Sequence, residues 1–454
     1  MTANRRDPGL RHGIDVVMFV TLFLVLLFAI PANYVVRQGF GGLGAPAVLV
    51  AFGAAAWWLL GTLYPKSGLH RGTQPMRVAL FALLASVLVT FGLAYRGALV
   101  PADARAADRG LLFMAAMAGL ALLIADGVDT LDRLVTLFRR LVLAASLIAL
   151  VGIVEYEMKH NFVSTVYNQV PFLSLSKLVN FAGISTQFTS IRRVSGTAIH
   201  PIEFGVVLAM ALPFAAHFAL MDDERSGLRR WWKVVVILIA ELTAQSRSGL
   251  LVILIAALVL MPAWPRAVRR QIYILSVPCL IAARLAFPGL LGTIRNLFLN
   301  VGEDSSTQSR IARYPMIFHF ISQRPLFGRG FQTFDAHVFF PVDNQYLMSL
   351  IETGIVGTLV FAALLVTGIT LAAKSARWAA NDEERLLART LTASIAGVSV
   401  AFATFDFFSF TMATGTFFLL LGSSGALWRI MRARARERSP ATTVRAVELR
   451  SISR

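Results

Sequence analysis

The stretch that decides the topology is "WWKVVVILIAELTAQSRSGLLVILIAALVLMPA", residues 231–263. Read as a single α-helix, it would be about 50 Å long, whereas the apolar core of a bilayer is about 30 Å thick. A single helix would also place Arg247 near its midpoint, where a charged side chain costs about 3 kcal/mol or more. We therefore predict two short helices, 231–245 and 248–263, that form a broken hairpin at residues 245–249.

The distribution of basic residues supports the same choice. With two helices, the basic stretches at 225–233, 265–270 and 429–438 share a side with the two arginines at 5–6. Cytoplasmic loops of membrane proteins carry an excess of Lys and Arg, so this pattern predicts that both termini are cytoplasmic. A single helix would move the last two stretches to the other side. The net charge of +18 is therefore a topology signal rather than a sign of nucleic-acid binding.

The composition agrees with a chain that crosses a membrane many times. Of its 454 residues, 56% are apolar and 15% are charged, and the mean hydropathy is +0.67. A helix needs about 20 apolar residues to span a bilayer. We predict an all-α polytopic membrane protein with about 12 transmembrane helices, near residues 14–33, 45–64, 76–95, 110–126, 138–157, 202–221, 231–245, 248–263, 270–287, 346–371, 388–405 and 409–429. The single cysteine, Cys279, excludes an intramolecular disulfide.

The predicted spans divide the chain into six parts. Two long loops would lie on the outer, extracytoplasmic side, and both exceed ordinary connections, which suggests a functional outer subdomain. The basic tail would lie close to anionic lipid headgroups. The parts are the N-terminal spans 1–157, the first outer loop 158–201, the central spans 202–287, the large outer loop 288–345, the C-terminal spans 346–429 and the cytoplasmic tail 430–454.

The first polar motif on the outer side is "IRRVSGTAIHPIEFG", residues 191–205. A proline and Glu203 suit the first turn of the helix that follows, and His200 has an equally plain explanation as a residue at a helix start. Two outer arginines, Arg192 and Arg193, are not explained in this way, because they oppose the positive-inside bias.

Two further motifs add arginines to this side. Arg247 either snorkels to lipid phosphate or holds a ligand phosphate through two parallel hydrogen bonds. Arg310 and Arg313 lie one turn apart in "STQSRIARYPMIFHFISQRPLFGRGFQTF", residues 306–334, where a solvated charged face is the structural alternative. We predict a helix lying on the membrane that ends in a glycine-rich turn and contacts lipid through Ile311, Met316, Ile317 and Phe320.

The last motif is "PVDNQYLMSLIETGIVG", residues 341–357. Asp343 is a natural N-cap for a helix beginning near Gln345, and an Asn could serve equally well. Capping does not explain Glu352, about 12 Å further along the helix, which should face the bundle interior on the same side as Gln345. The glycines at 354 and 357 are expected to allow close helix packing.

In this order, the motifs "RRVSGTAIHP", "SRSG", "SRIARYPMIFHFISQRPLFGRG" and "DNQYLMSLIETGIVG" resemble the bacterial O-antigen ligase/polymerase superfamily of integral-membrane glycosyltransferases. The resemblance covers roughly residues 190–360. It implies transfer of a glycan from a polyprenyl diphosphate carrier, on the outer face of the cytoplasmic membrane, to a sugar hydroxyl on a glycan or glycolipid acceptor. Ligases of this family commonly have a histidine where this chain has Asp343. This difference favours a polymerase over a ligase.

The resemblance also assigns expected roles. Departure of a diphosphate requires charge stabilisation, which clustered arginines provide without a metal or another cofactor, and the outer loops contain no acidic metal motif. The diphosphate-binding candidates are Arg192, Arg193, Arg247, Arg310 and Arg313. Asp343 would accept the proton of the attacking hydroxyl, and Asn344 beside it is a further catalytic candidate. Neighbouring arginines make a carboxylate a weaker base, so His200 and Glu203 stay open as alternative bases.

Two other classes of function remain possible at this point: a flippase or other transporter of lipid-linked glycans, and a non-enzymatic assembly partner. A transporter is expected to carry ionisable residues near the bilayer midplane and paired broken helices in two related halves. In this sequence the polar motifs gather on one side instead. Even Asp406, in "TFDFF", falls in a short outer turn between the last two spans.

Overall fold

The computed structural model describes residues 15–36, 42–64, 68–97, 99–176, 193–222, 224, 226–274, 281, 305–336 and 338–438. This part of the chain is almost wholly helical. In chain order, the helices with defined ends are α1 (Val16–Ala29), α2 (Pro46–Leu63), α3 (Pro75–Arg96), α4 (Pro101–Gly127), α5 (Leu131–Met158), α6 (Phe162–Tyr167), α7 (Pro201–Met221), α8 (Leu228–Ala244), α9 (Arg247–Leu260), α10 (Ser305–Gln323), α11 (Gln345–Ser375), α12 (Asp382–Ala401) and α13 (Thr411–Glu437). A two-residue antiparallel pair, β1 (Tyr34–Val35) with β2 (Ser174–Leu175), joins two loops.

The predicted break between two helices is confirmed. Helix α8 ends at Ala244, and Gln245 takes a left-handed conformation with φ of 49°. Ser246 then caps α9, because its hydroxyl oxygen accepts a hydrogen bond from the Gly249 N–H at 3.2 Å. The helix is therefore interrupted at this turn, and the reading as one long helix is excluded.

The helices have the length and composition of membrane spans. Six of the described helices are long and apolar enough to cross a bilayer, and α1 and α9 are shorter apolar helices. They indicate an integral membrane protein. The number of about 12 spans stays a prediction, since most of the predicted ninth span, 270–287, with Cys279, lies outside the described residues.

The ends of the bundle are fastened by different polar contacts. At one end, the Asp126 carboxylate of α4 accepts hydrogen bonds from the indole N–H of Trp58 at 2.8 Å and from Nε of Arg77 at 3.0 Å, which ties α4 to α2 and α3. Arg429 of α13 donates to backbone carbonyls at the same end. At the other end, α7, α9, α11 and α13 all begin. This second end carries the sequence motifs and is called the motif end below.

Helix α11 is broken at Gly354, whose φ of 67° and ψ of −170° are not helical. The loop 325–330, which contains the "RPLFGRG" glycines, inserts at this break and forms four backbone hydrogen bonds. The N–H groups of Ile355 and Val356 donate to the carbonyls of Pro325 and Leu326, and those of Arg329 and Gly330 donate to the carbonyls of Ile351 and Glu352. The backbone groups freed by the break are thereby satisfied within the protein, as a membrane setting requires.

This arrangement corrects the expected role of the two glycines. A Cβ atom on Gly354 would lie 2.4 Å from the backbone of Leu326, so a loop, rather than a neighbouring helix, makes the close approach. A Cβ atom on Gly357 would meet Thr353 of its own helix. The prediction that both glycines serve helix packing is wrong, because the pattern did not show the break.

The predicted helix after residue 305 exists as α10, and the glycine-rich turn after it is confirmed by Gly328 and Gly330, both with positive φ. Its apolar side chains divide between two environments. Ile317 is buried against other apolar side chains of the loop and α11, and Phe320 packs on the same cluster. Ile311 and Met316 are exposed. The expected lipid contact through all four side chains is therefore wrong for Ile317 and Phe320.

The break at Gly354 gives a stability prediction. We expect Gly354→Ala to lower the apparent melting temperature of the detergent-purified protein, because such backbone angles cost an L-residue on the order of 1–3 kcal/mol and the new Cβ overlaps the inserted loop. Gly92→Ala in α3 is the matched control, since nothing lies within 4 Å of its Cβ position and Ala favours a helix. Equal melting of Gly354→Ala and the unmodified protein would contradict this account.

Candidate active site

The segment 193–200 is held against the bundle before it reaches α7. The buried Glu155 carboxylate of α5 accepts hydrogen bonds from the N–H groups of Ser195 at 3.3 Å and Gly196 at 2.8 Å. The Thr197 hydroxyl donates to the Phe28 carbonyl of α1 at 2.6 Å. These contacts fix the positions of Arg193 and His200 on either side of the turn.

His200 is the N-cap of α7. Its Nδ1 accepts a hydrogen bond from the Ile202 N–H at 3.1 Å, and its ring lies 5.7 Å from that of Phe410. Burial, together with the nearby Arg193 charge, lowers the pKa of His200 to about 4. The imidazole is therefore neutral near pH 7, and the acceptor role of Nδ1 assigns the proton to Nε2. His200 is thus better suited to donate a hydrogen bond than to accept a proton.

Glu203 is fully buried, and both of its carboxylate oxygens are engaged. One oxygen accepts from the N–H groups of Met412 at 2.6 Å and Ala413 at 3.2 Å, and the other accepts from that of Ile199 at 2.9 Å. The first two donors belong to the opening turn of α13, where N–H groups lack helical partners. Glu203 therefore joins α7 to the start of α13.

Two arginines of different motifs come together at the broken hairpin. Nε of Arg193 donates to the Ala244 carbonyl at the end of α8, at 3.2 Å. Burial and the neighbouring charge of Arg247 lower the pKa of Arg193. Arg193 thus contacts the last residue of α8, and Arg247 is the first residue of α9. Two positive charges close to the positive end of a helix dipole favour the binding of an anion.

The remaining predicted arginines are placed less completely. Arg192 and the side chain of Arg310 lie outside the described residues. Arg313 is described, and its Nη1 donates to the carbonyl of Pro341 at 3.0 Å. This contact connects α10 to the residues that immediately precede Asp343.

The structure separates the roles of Asp343 and Asn344. Asn344 is the N-cap of α11, because its Oδ1 accepts from the N–H groups of Tyr346 at 3.0 Å and Leu347 at 3.1 Å. Asp343 precedes the cap in a left-handed conformation, with φ of 51°. The prediction that Asp343 caps the helix is wrong, because Asn344 accepts both capping hydrogen bonds.

Gln345 fastens the start of α11 to the loop between α12 and α13. Its backbone N–H donates to the Phe402 carbonyl at 2.7 Å, and its side-chain oxygen accepts from the Phe408 N–H at 2.9 Å. Its side-chain nitrogen donates to the Ser349 hydroxyl at 3.2 Å. Gln345 and Glu352 are both buried, which confirms the predicted polar face of the helix.

A cavity of about 200 Å³ lies at the motif end, and it contains residues that the sequence did not single out as functional. Its wall includes the predicted interior carboxyl Glu352 together with Asp406 and Arg109. Burial and the charge of Asp343 together raise the pKa of Asp406 to about 6, although a hydrogen bond from Ser409 lowers it. Asp343 is therefore electrostatically coupled to this cavity. In the sequence, the one signal for this cavity was the acidic residue Asp406 within the aromatic turn "TFDFF".

The fold and these contacts define a polytopic helical membrane protein with paired arginines, a carboxylate beside a helix cap and an acidic cavity at one end. The family model described as O-antigen ligase matches residues 232–362, which include Arg247, Arg313, Asp343 and Glu352. This match supports the O-antigen ligase/polymerase superfamily and, with it, a membrane glycosyltransferase type of activity. A search of curated proteins finds no match to the chain.

Proposed function

We propose that the protein transfers a glycan from a polyprenyl diphosphate carrier to a sugar hydroxyl on a glycan or glycolipid acceptor. The observation that carries the proposal is that Arg193 contacts the end of α8, close enough for its charge to interact with that of Arg247 at the start of α9. A diphosphate is the leaving group, and its negative charge grows as the bond to the sugar breaks. Guanidinium groups fixed in place stabilise that charge most where it develops.

The reaction needs a proton acceptor for the incoming hydroxyl, and Asp343 is our choice. The hydroxyl oxygen forms the new bond to the anomeric carbon, the bond from that carbon to the diphosphate oxygen breaks, and the hydroxyl proton passes to the carboxylate. The alternatives fit less well. Nδ1 of His200 already accepts a backbone hydrogen bond, and Glu203 uses both oxygens to hold α13.

The residue type at position 343 also indicates whether the transfer is a ligation or a polymerisation. Since ligases of the superfamily commonly have a histidine at this position, a carboxylate favours extension of a lipid-linked glycan by polymerisation. We place the motif end on the outer face of the bacterial cytoplasmic membrane, which the basic-residue distribution supports.

The activity itself is tested with purified protein and a lipid-linked oligosaccharide. Transfer releases the carrier diphosphate, which thin-layer chromatography separates from the donor. A flippase would change the sidedness of the donor in proteoliposomes without releasing the carrier, and that result would overturn the proposal.

The orientation is tested by single cysteines on a Cys279→Ala background. Leu175→Cys and Leu326→Cys, both exposed, should react in whole cells with a thiol reagent that does not cross the membrane. Leu228→Cys, at the exposed start of α8, should react after the cells are opened. Reaction of Leu228→Cys in intact cells together with protection of Leu326→Cys would reverse the assigned faces.

The role of Asp343 is tested by Asp343→Asn. Asn is among the residues that best tolerate a left-handed backbone, so the fold should be retained. Loss of the proton acceptor should lower kcat by about 100-fold or more while donor binding is retained. Asn381→Asp at the N-cap of α12 is the control, since Asp caps a helix as well as Asn does and turnover should stay near normal. Normal turnover of Asp343→Asn would remove this carboxylate from the reaction.

The phosphate-binding role of Arg247 is tested by Arg247→Lys. Lysine keeps the charge but loses the paired hydrogen bonds of a guanidinium, so the donor KM should rise by about tenfold. Arg385→Lys, on an exposed arginine of α12 that pairs with Asp382, is the control and should leave the donor KM unchanged. An unchanged donor KM in Arg247→Lys would mean that Arg247 contacts lipid instead.

Metal independence is a separate expectation, because the arginine pair supplies positive charge at the leaving group. Carrier diphosphate release should continue at an undiminished rate in EDTA. Complete loss of release, with recovery on addition of magnesium or manganese, would show that arginines alone do not stabilise the leaving group.

A further inference from the structure

The cavity at the motif end is built by five separate parts of the chain. They are the residues before α2, the first turns of α4, the segment 331–336, the buried face of α11 and the loop between α12 and α13. Three carboxyl groups and one guanidinium line it together with phenyl rings. The residues that matter here are Arg109, Phe334, Asp335, Glu352, Asp406 and Phe408.

This combination of groups suits a sugar ring. A pyranose has an edge of hydroxyl groups, which carboxylates and a guanidinium bind through strong, charge-assisted hydrogen bonds. It also has a face of C–H groups, which an apolar ring covers. Pockets for drug-sized ligands measure about 300–1,000 Å³, so a cavity of about 200 Å³ fits one ring and not a whole repeat unit.

The charged groups in the wall of the cavity indicate whether the donor or the acceptor binds there. Carboxyl groups outnumber the single guanidinium among the charged groups of its wall. A diphosphate placed here would meet one guanidinium among three carboxyl groups and would lack paired positive charges, whereas an uncharged, hydroxyl-bearing sugar needs none. The donor's anionic group therefore suits the Arg193 and Arg247 pair, and the cavity suits the acceptor.

Two observations relate the cavity to the proposed base, Asp343, and to the segment that carries Arg193 and His200. The charge of Asp343 acts on Asp406 in the cavity wall. The loop that carries Asp406 and Phe408 continues to Phe410, which lies against His200. The proposed base is therefore close enough to the cavity for its charge to act on one residue of the wall.

The wall of the cavity is held rigidly before any ligand arrives. Glu352 accepts a hydrogen bond from the Phe334 N–H at 3.3 Å, and its own carbonyl accepts from Gly330 of the inserted loop. Phe408 is held by the side chain of Gln345. Groups fixed in this way bind a ligand without the cost of ordering them.

We propose that this cavity binds the acceptor, with the terminal sugar ring held between the Glu352 and Asp406 carboxyls and the phenyl rings of Phe334 and Phe408. The assignment rests on the proposed glycosyl transfer, and it adds the site at which the acceptor is recognised.

The test is to fill the cavity. Ala106 of α4 lines it, so Ala106→Phe occupies the space of the sugar. Ala102→Phe, one turn earlier on the same helix at an exposed position, is the matched control. The acceptor probe is the oligosaccharide released by mild acid from the lipid-linked donor pool of the native host. Acceptor and donor KM are measured for each protein, and binding of the free oligosaccharide is followed by saturation-transfer NMR.

For Ala106→Phe, the acceptor KM should rise by about tenfold or more while the donor KM stays within about twofold, and oligosaccharide binding should be lost. Asp406→Asn should raise the acceptor KM in the same direction without filling the space. Ala102→Phe should match the unmodified protein. An unchanged acceptor KM and undiminished oligosaccharide binding in Ala106→Phe would overturn the assignment.

The two proposals fail in different ways. If the unmodified protein releases no carrier diphosphate, but binds the oligosaccharide and loses that binding in Ala106→Phe, glycosyl transfer is wrong and the sugar site stands. If transfer occurs and Ala106→Phe leaves both acceptor measurements unchanged, transfer stands and the sugar site is wrong.

Discussion

The buried carboxylate of Glu203 is the interaction on which the motif end depends. Three backbone N–H groups donate to it, one from the segment before α7 and two from the first turn of α13. A charged group buried without partners would be strongly destabilising, so these bonds fix the relative positions of α7 and α13. The loop that leads into α13 carries Asp406 and Phe410, and both take their places from this connection. Glu203 lies outside the matched range 232–362.

The motif end separates its charges. Arginines from two motifs meet at the turn between α8 and α9, whereas carboxyl groups gather in the cavity between α4 and α11. Asp343 is coupled to the acidic side and follows the carbonyl that Arg313 holds. In the proposed reaction this division separates the group that holds the donor diphosphate from the cavity that holds the terminal sugar of the acceptor.

Much of this fold follows from sequence pattern, because apolar length and basic loops are strong constraints in a bilayer. They predicted the hairpin at 245–249 and the buried face shared by Gln345 and Glu352. The exchange of roles between Asp343 and Asn344 was not predictable, since either residue type can cap a helix and backbone angles decide between them. Arg109 and Asp406 were missed for another reason. They are far apart in sequence, and tertiary packing alone brings them to one cavity.

The insertion of residues 325–330 at Gly354 also has a consequence for biosynthesis. These residues are synthesised before residues 351–356, so the loop cannot form its backbone hydrogen bonds until the later segment has also left the ribosome. Its glycine-rich turn can reach its final shape after α11 follows it. Glu352 and Phe334 come together in the same step. The part of the cavity wall formed by Glu352 and Phe334 is therefore completed late. By then the turn between α8 and α9, which precedes Arg247, has already been synthesised.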